Sequence, residues 1–266
     1  MSKLVVVVFS SEAQAYQGTR ALDALHAQGD LTLYGRAVVA RDHDGKISMK
    51  EAYDPGPLGT AVGAFTGGLI GLIGGPAGAL ASVAGGAFIG SLHDLFNYGV
   101  GAEFLSKVST ELAPGKTAIV AEIAENWTIP LDTRMEALGG VVLRTLRVDF
   151  EDEQIQKEIA ARRADFEQLK AEYAQAKEQV KTRLKAEMDK ARAELDRADA
   201  RARAKLEALD KETRAKIAAV EKQLAEAGHD AKEAINRRAA ALRSEYERRS
   251  AKLGQAWQLT KDAFAA

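Results

Sequence analysis

Residues 55–93 form a run of 39 positions with no Asp, Glu, Lys or Arg, inside a chain of 266 residues that is 28% charged. Gly59, Gly63, Gly67, Gly71 and Gly75 stand four apart in it, and Gly78, Ser82, Gly86 and Gly90 continue the small-residue spacing. Residues four apart share a helix face, so each half carries a groove without side chains. Such grooves let helix backbones approach closely, as in small-xxx-small interfaces within membranes. Each glycine weakens a helix in water by about 1 kcal/mol relative to alanine. The ladder is therefore expected where close packing or lipid offsets that cost.

Gly74-Gly75-Pro76-Ala77-Gly78 breaks the segment in the middle. One kinked helix or a helical hairpin fits the break. The hairpin is preferred, because strand signals lie on both sides of the window and a single crossing would separate them. The arms Leu58–Gly74 and Ala77–Leu92 are each about 16–17 residues, or roughly 25 Å, at the short limit for a hydrocarbon core of about 30 Å. They either span a thinned bilayer, enter one leaflet, or form the dry centre of a soluble oligomer; insertion is the expectation. Asp54 and Asp94 bracket the window, and Arg41, Lys46, Lys50, Lys107 and Lys116 flank it at a distance. Both ends are thus expected on the cytoplasmic side.

The flanking sequence alternates strand and helix signals. Lys3–Phe9 is rich in valine. Ser11, with Gln14 three residues on, is a capping box for a helix through about Gln28, broken at Gly29-Asp30. Leu31–Arg41 and Lys46–Tyr53 read as strands joined by an Asp42-His43-Asp44-Gly45 turn, with Ile47, Met49 and Tyr53 on one face. Gly101–Leu112 is a helix with an apolar stripe of Phe104, Leu105, Val108 and Leu112, stopped by Pro114-Gly115. Lys116–Ile123 is a strand, Pro130–Leu138 a short helix and Gly140–Val148 a last strand. The order suggests an α+β, ferredoxin-like domain from residues 1–54 and 94–149: one antiparallel-rich sheet with helices on one face. The apolar run at Val5–Phe9 is too short for a secretory signal.

From Phe150 onward the chain reads as helix and belongs to a third part, residues 150–266. After Pro130 there is no proline, and after Phe150 glycine occurs only at Gly228 and Gly254. About 115 helical residues would reach roughly 170 Å if straight, so a stalk, a hairpin or an oligomer's arm is expected. Gly228-His229-Asp230 marks either a hinge or a tolerated glycine. Apolar positions recur every eleven residues: Leu209, Val220, Ala231, Leu242, Leu253, Phe264 in one series and Thr213, Leu224, Ile235, Tyr246, Trp257 in a second. A third runs Leu206, Ile217, Gly228, Ala239, Ser250. Eleven residues in three turns is about 3.67 per turn, which gives a nearly straight bundle rather than a heptad supercoil. Before about Ala202 the spacing is closer to heptads, at Phe166, Leu169, Tyr173, Ala176 and Val180. Leu209, Val220, Leu224, Ile235, Leu242, Tyr246, Leu253 and Trp257 are the residues expected to carry coiled-coil oligomerisation. A helix lying along a membrane is the alternative, but the mixed charge argues against it.

Charge is balanced at −1 overall, with none of the basic excess that nucleic acid demands. The chain has no cysteine, which excludes disulfides, thiolate metal sites and cysteine nucleophiles and fits a reducing cytoplasm. His26, His43, His93 and His229 are scattered without metal-ligand spacing. Asp42-His43-Asp44 is explained by its turn, and His93-Asp94 by a cap at the window's exit. No Gly-Lys-Ser or Gly-Lys-Thr phosphate loop occurs. Trp127 and Trp257 read as packing or interface anchors. No catalytic residue, metal site or cofactor is expected.

The run Asn97-Tyr98-Gly99-Val100-Gly101-Ala102-Glu103-Phe104-Leu105, followed by Leu112-Ala113-Pro114-Gly115-Lys116-Thr117-Ala118, resembles domain of unknown function 1269, a bacterial family of predicted membrane proteins. Its members pair a Tyr- or Trp-Gly-Ile exit from a glycine-rich segment with a Pro-Gly-Thr-Ser-Ala strand entry. Here Val100 replaces the Ile and Lys116 a common Thr. The resemblance covers roughly residues 3–148, favours the membrane, and implies no catalytic residue. The expectation is a non-enzymatic, membrane-associated scaffold facing the cytoplasm. Its glycine-zipper hairpin enters lipid and its long helices pack between subunits of a homo-oligomer, ring or filament. A pore-forming toxin using the same hairpin, and a soluble regulatory dimer around a small ligand, are the alternatives.

Overall fold

The computed structural model describes residues 2–53, 62–63, 65–71, 73, 102–146 and 150–265. The elements in chain order are β1 (Lys3–Phe9), α1 (Glu12–Gln28), β2 (Leu31–Arg41), β3 (Ile47–Tyr53), α2 (Ala102–Glu111), β4 (Thr117–Glu125), α3 (Ile129–Ala137), β5 (Val141–Leu146), α4 (Phe150–Gln175), α5 (Glu178–Glu226) and α6 (His229–Ala265). Residues 62–63, 65–71 and 73 are also helical. The chain divides into two compact units. One contains Met1–Val148 with Glu212–Ser244, the other Asp149–Lys211 with Glu245–Ala266.

The first unit is built on a five-stranded antiparallel sheet in the order β3-β2-β4-β1-β5. β4 lies between β1 and β2, and β1 between β4 and β5. Two split β-α-β crossovers, through α1 and α3, thus interlock. α1 starts as its capping box predicts: the Gln14 amide donates to Ser11 Oγ at 3.3 Å. It ends at Gly29, whose φ of 80° is the left-handed conformation that glycine adopts without a Cβ penalty.

Helices cover both faces of the sheet, not one. β1 and β4 are almost continuously apolar, so each offers a buried surface in both directions. On one face Val5, Val7, Phe9, Ile119 and Ile123 pack against Leu22 and Leu25 of α1 and Leu131 and Met135 of α3. On the other, Leu4, Val6, Val8, Val39 and Val120 pack against Phe104, Leu105 and Val108 of α2, against Leu112 just after it, and against Val62, Phe65, Leu69 and Ile70. The shared face expected for Ile47, Met49 and Tyr53 also fails. The pairing with β2 shifts between Val38 and Val39, opposite Glu51 and Met49. That flips the later residues, so Tyr53 lies opposite Arg36, whose guanidinium sits 5.5 Å from its ring centre. Met49 and Tyr53 are exposed while Ile47 is buried.

In the second unit, α4, residues 178–211 of α5 and the end of α6 pack together. Ile155, Ile159, Leu195, Ala198, Ala202, Leu209 and Leu253 form their core. The ion pairs Arg162–Glu194 and Arg201–Glu158 run in opposite sequence directions, so α4 and this part of α5 are antiparallel. Arg249 clamps the core, its Nε and Nη2 donating to Asp152 at 2.7 and 3.4 Å. The helical half of the chain is therefore three helices broken at 176–177 and 227–228. Gly228 marks the break between α5 and α6.

Candidate functional site

The sequence singles out the glycine ladder and the helical stripe. Of the ladder, Gly63, Gly67 and Gly71 lie within the described residues; Gly59, Gly75, Gly78, Gly86 and Gly90 lie outside them, as do Asp54, His93 and Asp94. All three described glycines are helical, Gly67 buried and Gly63 and Gly71 half-buried. Val62, Phe65, Leu69 and Ile70 turn to the sheet, and the Phe65 ring stands 6.0 Å from that of Phe104. This part of the charge-free window thus buries its large side chains in the domain core. The position of Gly71 is open: among the described residues nothing lies within 4 Å of a Cβ built on it. No described helix is long and apolar enough to cross a membrane. No group of three or more His, Asp or Glu among the described residues is arranged to hold a metal ion.

The stripe is covered by the chain itself. Leu209, Val220, Ile235, Leu242 and Leu253 are buried, and Leu224, Tyr246 and Trp257 are half-buried. Val220, Leu224, Ala227, Ala231, Ile235 and Ala239 of the α5–α6 turn cluster with Tyr34 and Ala124 of the sheet. Tyr34 reaches them because the β2–β4 register shifts between Leu33 and Gly35, a bulge that re-aims one side chain. In the other unit Tyr246 donates to Asp210 at 3.2 Å, and Arg203 lies 5.5 Å from the Trp257 ring centre. Leu224, Tyr246 and Trp257 keep part of their surface exposed.

Polar residues within the same stripe hold the α5–α6 turn to the sheet, and periodicity of apolar residues alone does not find them. Lys216 is 3% exposed and Glu122 1%. The Lys216 ammonium donates to Glu122 Oε1 at 2.5 Å and Ser2 Oγ at 3.1 Å, lies 2.7 Å from Glu212 and sits 5.0 Å from the Tyr34 ring centre. Gln223 Nε2 donates to the carbonyls of His26 and Leu31, both at 2.7 Å, and its Oε1 accepts from Thr32 at 2.6 Å. Arg238 donates to Thr32 Oγ1 at 3.0 Å and to the Gly29 and Asp30 carbonyls at 2.7 and 3.3 Å. The carbonyls of His26, Gly29, Asp30 and Leu31, at and just past the end of α1, are thus held by α5 and α6, the His26 carbonyl also accepting from the Gly29 N–H at 3.1 Å. Burial holds His26 below the usual histidine range and also lowers Arg238. The legible signal is spacing: 209, 213, 216, 220, 223 and 227 are buried at steps of four and three, with polar side chains at three of them.

Residues 60–160 match the family model described as "Protein of unknown function (DUF1269)". The resemblance read from the 97–118 run is therefore shown for that span, which includes β4, β5 and the described helical residues 62–63, 65–71 and 73. The α5–α6 turn that covers the sheet lies beyond it. No curated protein and no solved structure matches the chain.

Proposed function

We propose that the protein is a non-enzymatic, membrane-associated structural protein that assembles with itself, its bulk facing the cytoplasm. One observation carries the reading: a 39-residue segment without charge, laddered with glycine, is inserted between two parts of one sheet. The described portion supports it. Its bulky side chains are held by the domain, while at Gly71 the bare backbone faces open space among the described residues. A lipid surface or the same segment of a second copy fits such a position. Assembly then runs first through the ladder, with the partly exposed Leu224, Tyr246 and Trp257 left for packing between the long helices of neighbouring copies. Interlocked crossovers through α1 and α3 support a ferredoxin-like reading of β1, β2, β4 and β5, with β3 as an added strand.

Sodium carbonate fractionation followed by electron microscopy of the native particle tests this. The protein is expected in the carbonate-resistant membrane fraction as a defined oligomer; recovery from the wash as a small dimer would refute the proposal. Gly71→Leu sharpens the test, because among the described residues nothing stands within 4 Å of a Cβ at that position. It should abolish assembly or insertion and leave the sheet domain's circular dichroism intact. Unchanged particles would remove the ladder as an interface.

A further inference from the structure

The α5–α6 turn docks on the sheet through a few buried polar contacts, and those contacts converge on the last turn of α1. His26 stands there. Its Nδ1 accepts the backbone N–H of Leu33 at 3.2 Å, so that nitrogen must carry a lone pair and the neutral ring must hold its proton on Nε2. Its carbonyl accepts from Gln223 of α5. Three residues on, the Gly29 carbonyl accepts from Arg238 of α6. The charged groups around the ring are Asp23 on α1, Glu226 on α5 and Arg238 on α6.

We propose that His26 is a proton-sensitive latch: its protonation in mild acid releases the helical turn 212–244 from the sheet. A proton on Nδ1 turns the acceptor of Leu33 into a donor, so two donors meet and that hydrogen bond is lost; burial opposes the charged ring, while the Leu31 backbone, Asp23 and Glu226 partly offset it. It also places a second cation near Arg238, whose own charged form burial already disfavours. Displacing the last turn of α1 moves the carbonyls of His26, Gly29 and Asp30 together, and with them the anchors of both helices. Release uncovers Tyr34 and Ala124 of the sheet and Val220 and Ile235 of the helices. The sign agrees with the shift. His26 is lowered in the folded chain by burial. Its contribution is complete above the ordinary histidine value of 6.5 and is lost as pH falls below it towards the folded value.

The test is amide hydrogen exchange on the full chain at pH 8 and pH 5, corrected for intrinsic exchange rates, for the natural protein and His26→Asn. Asparagine keeps an acceptor near the Nδ1 position and does not titrate. Protection of residues 219–240 should fall several-fold more in the natural protein than in the variant between pH 8 and pH 5. Equal losses in both would overturn the proposal. Should the variant not fold, nuclear magnetic resonance of the natural His26 ring decides. An Nε2–H tautomer titrating below free histidine supports the latch, and an Nδ1–H tautomer or a midpoint at or above free histidine refutes it.

Discussion

Replacing Lys216 by methionine removes the cation from a site where both partners are buried. At the observed 2.5 Å, and with an effective dielectric constant of about 20, the Coulomb attraction to Glu122 is roughly 6–7 kcal/mol. Desolvation of both charges offsets most of that, so the pair's net contribution is small. Removing one partner is different, because the Glu122 carboxylate stays buried and loses this cation. Such losses cost about 3–5 kcal/mol, a large share of the roughly 5–15 kcal/mol that holds a domain folded. Glu122→Leu together with Lys216→Met deletes both charges and should recover most of the loss. Urea unfolding read through exchange of the β4 amides reports this unit by itself. A single variant destabilised by less than about 1 kcal/mol, or a double variant as unstable as the sum of the singles, would refute the reasoning.

Gly29→Ala meets two penalties: a left-handed φ of 80° and a new Cβ placed 2.5 Å from that of Ala231. Thermal melting should show a loss of about 1–2 kcal/mol from the backbone alone plus a clash term. Ala231→Gly in the same chain should recover only the clash. Ile235→Ala, at a side chain with no exposure, should cost about 2–5 kcal/mol. Since the chain itself buries this position, the change in melting temperature should not vary with protein concentration; a concentration-dependent change would mean that another subunit covers it.

The local elements were legible in the amino-acid order because their signals are local. The Ser11 cap, the left-handed stop at Gly29 and the turn closed by Gly45 depend on residues a few positions apart. So did the apolar stripe of α2, all of it buried. The charge-free window, the glycine spacing and the lack of cysteine are likewise properties of sequence alone. Tertiary structure decided what covers each apolar surface. Both faces of the sheet are clothed because β1 and β4 are apolar on both, and no local rule says which distant helix comes to lie there. Two register shifts, at Gly35 and at Val39, re-aimed Tyr34 and Tyr53; a one-residue slip reverses a strand's faces. The eleven-residue rhythm predicted that α5 and α6 bury a stripe, but not that the partner is their own chain. Apolar periodicity alone does not find Lys216, Gln223 and Arg238, whose partners are the carbonyls around the end of α1 and the carboxylate of Glu122. A polar side chain is buried when a distant part of the fold supplies its partner, and that pairing exists only in three dimensions.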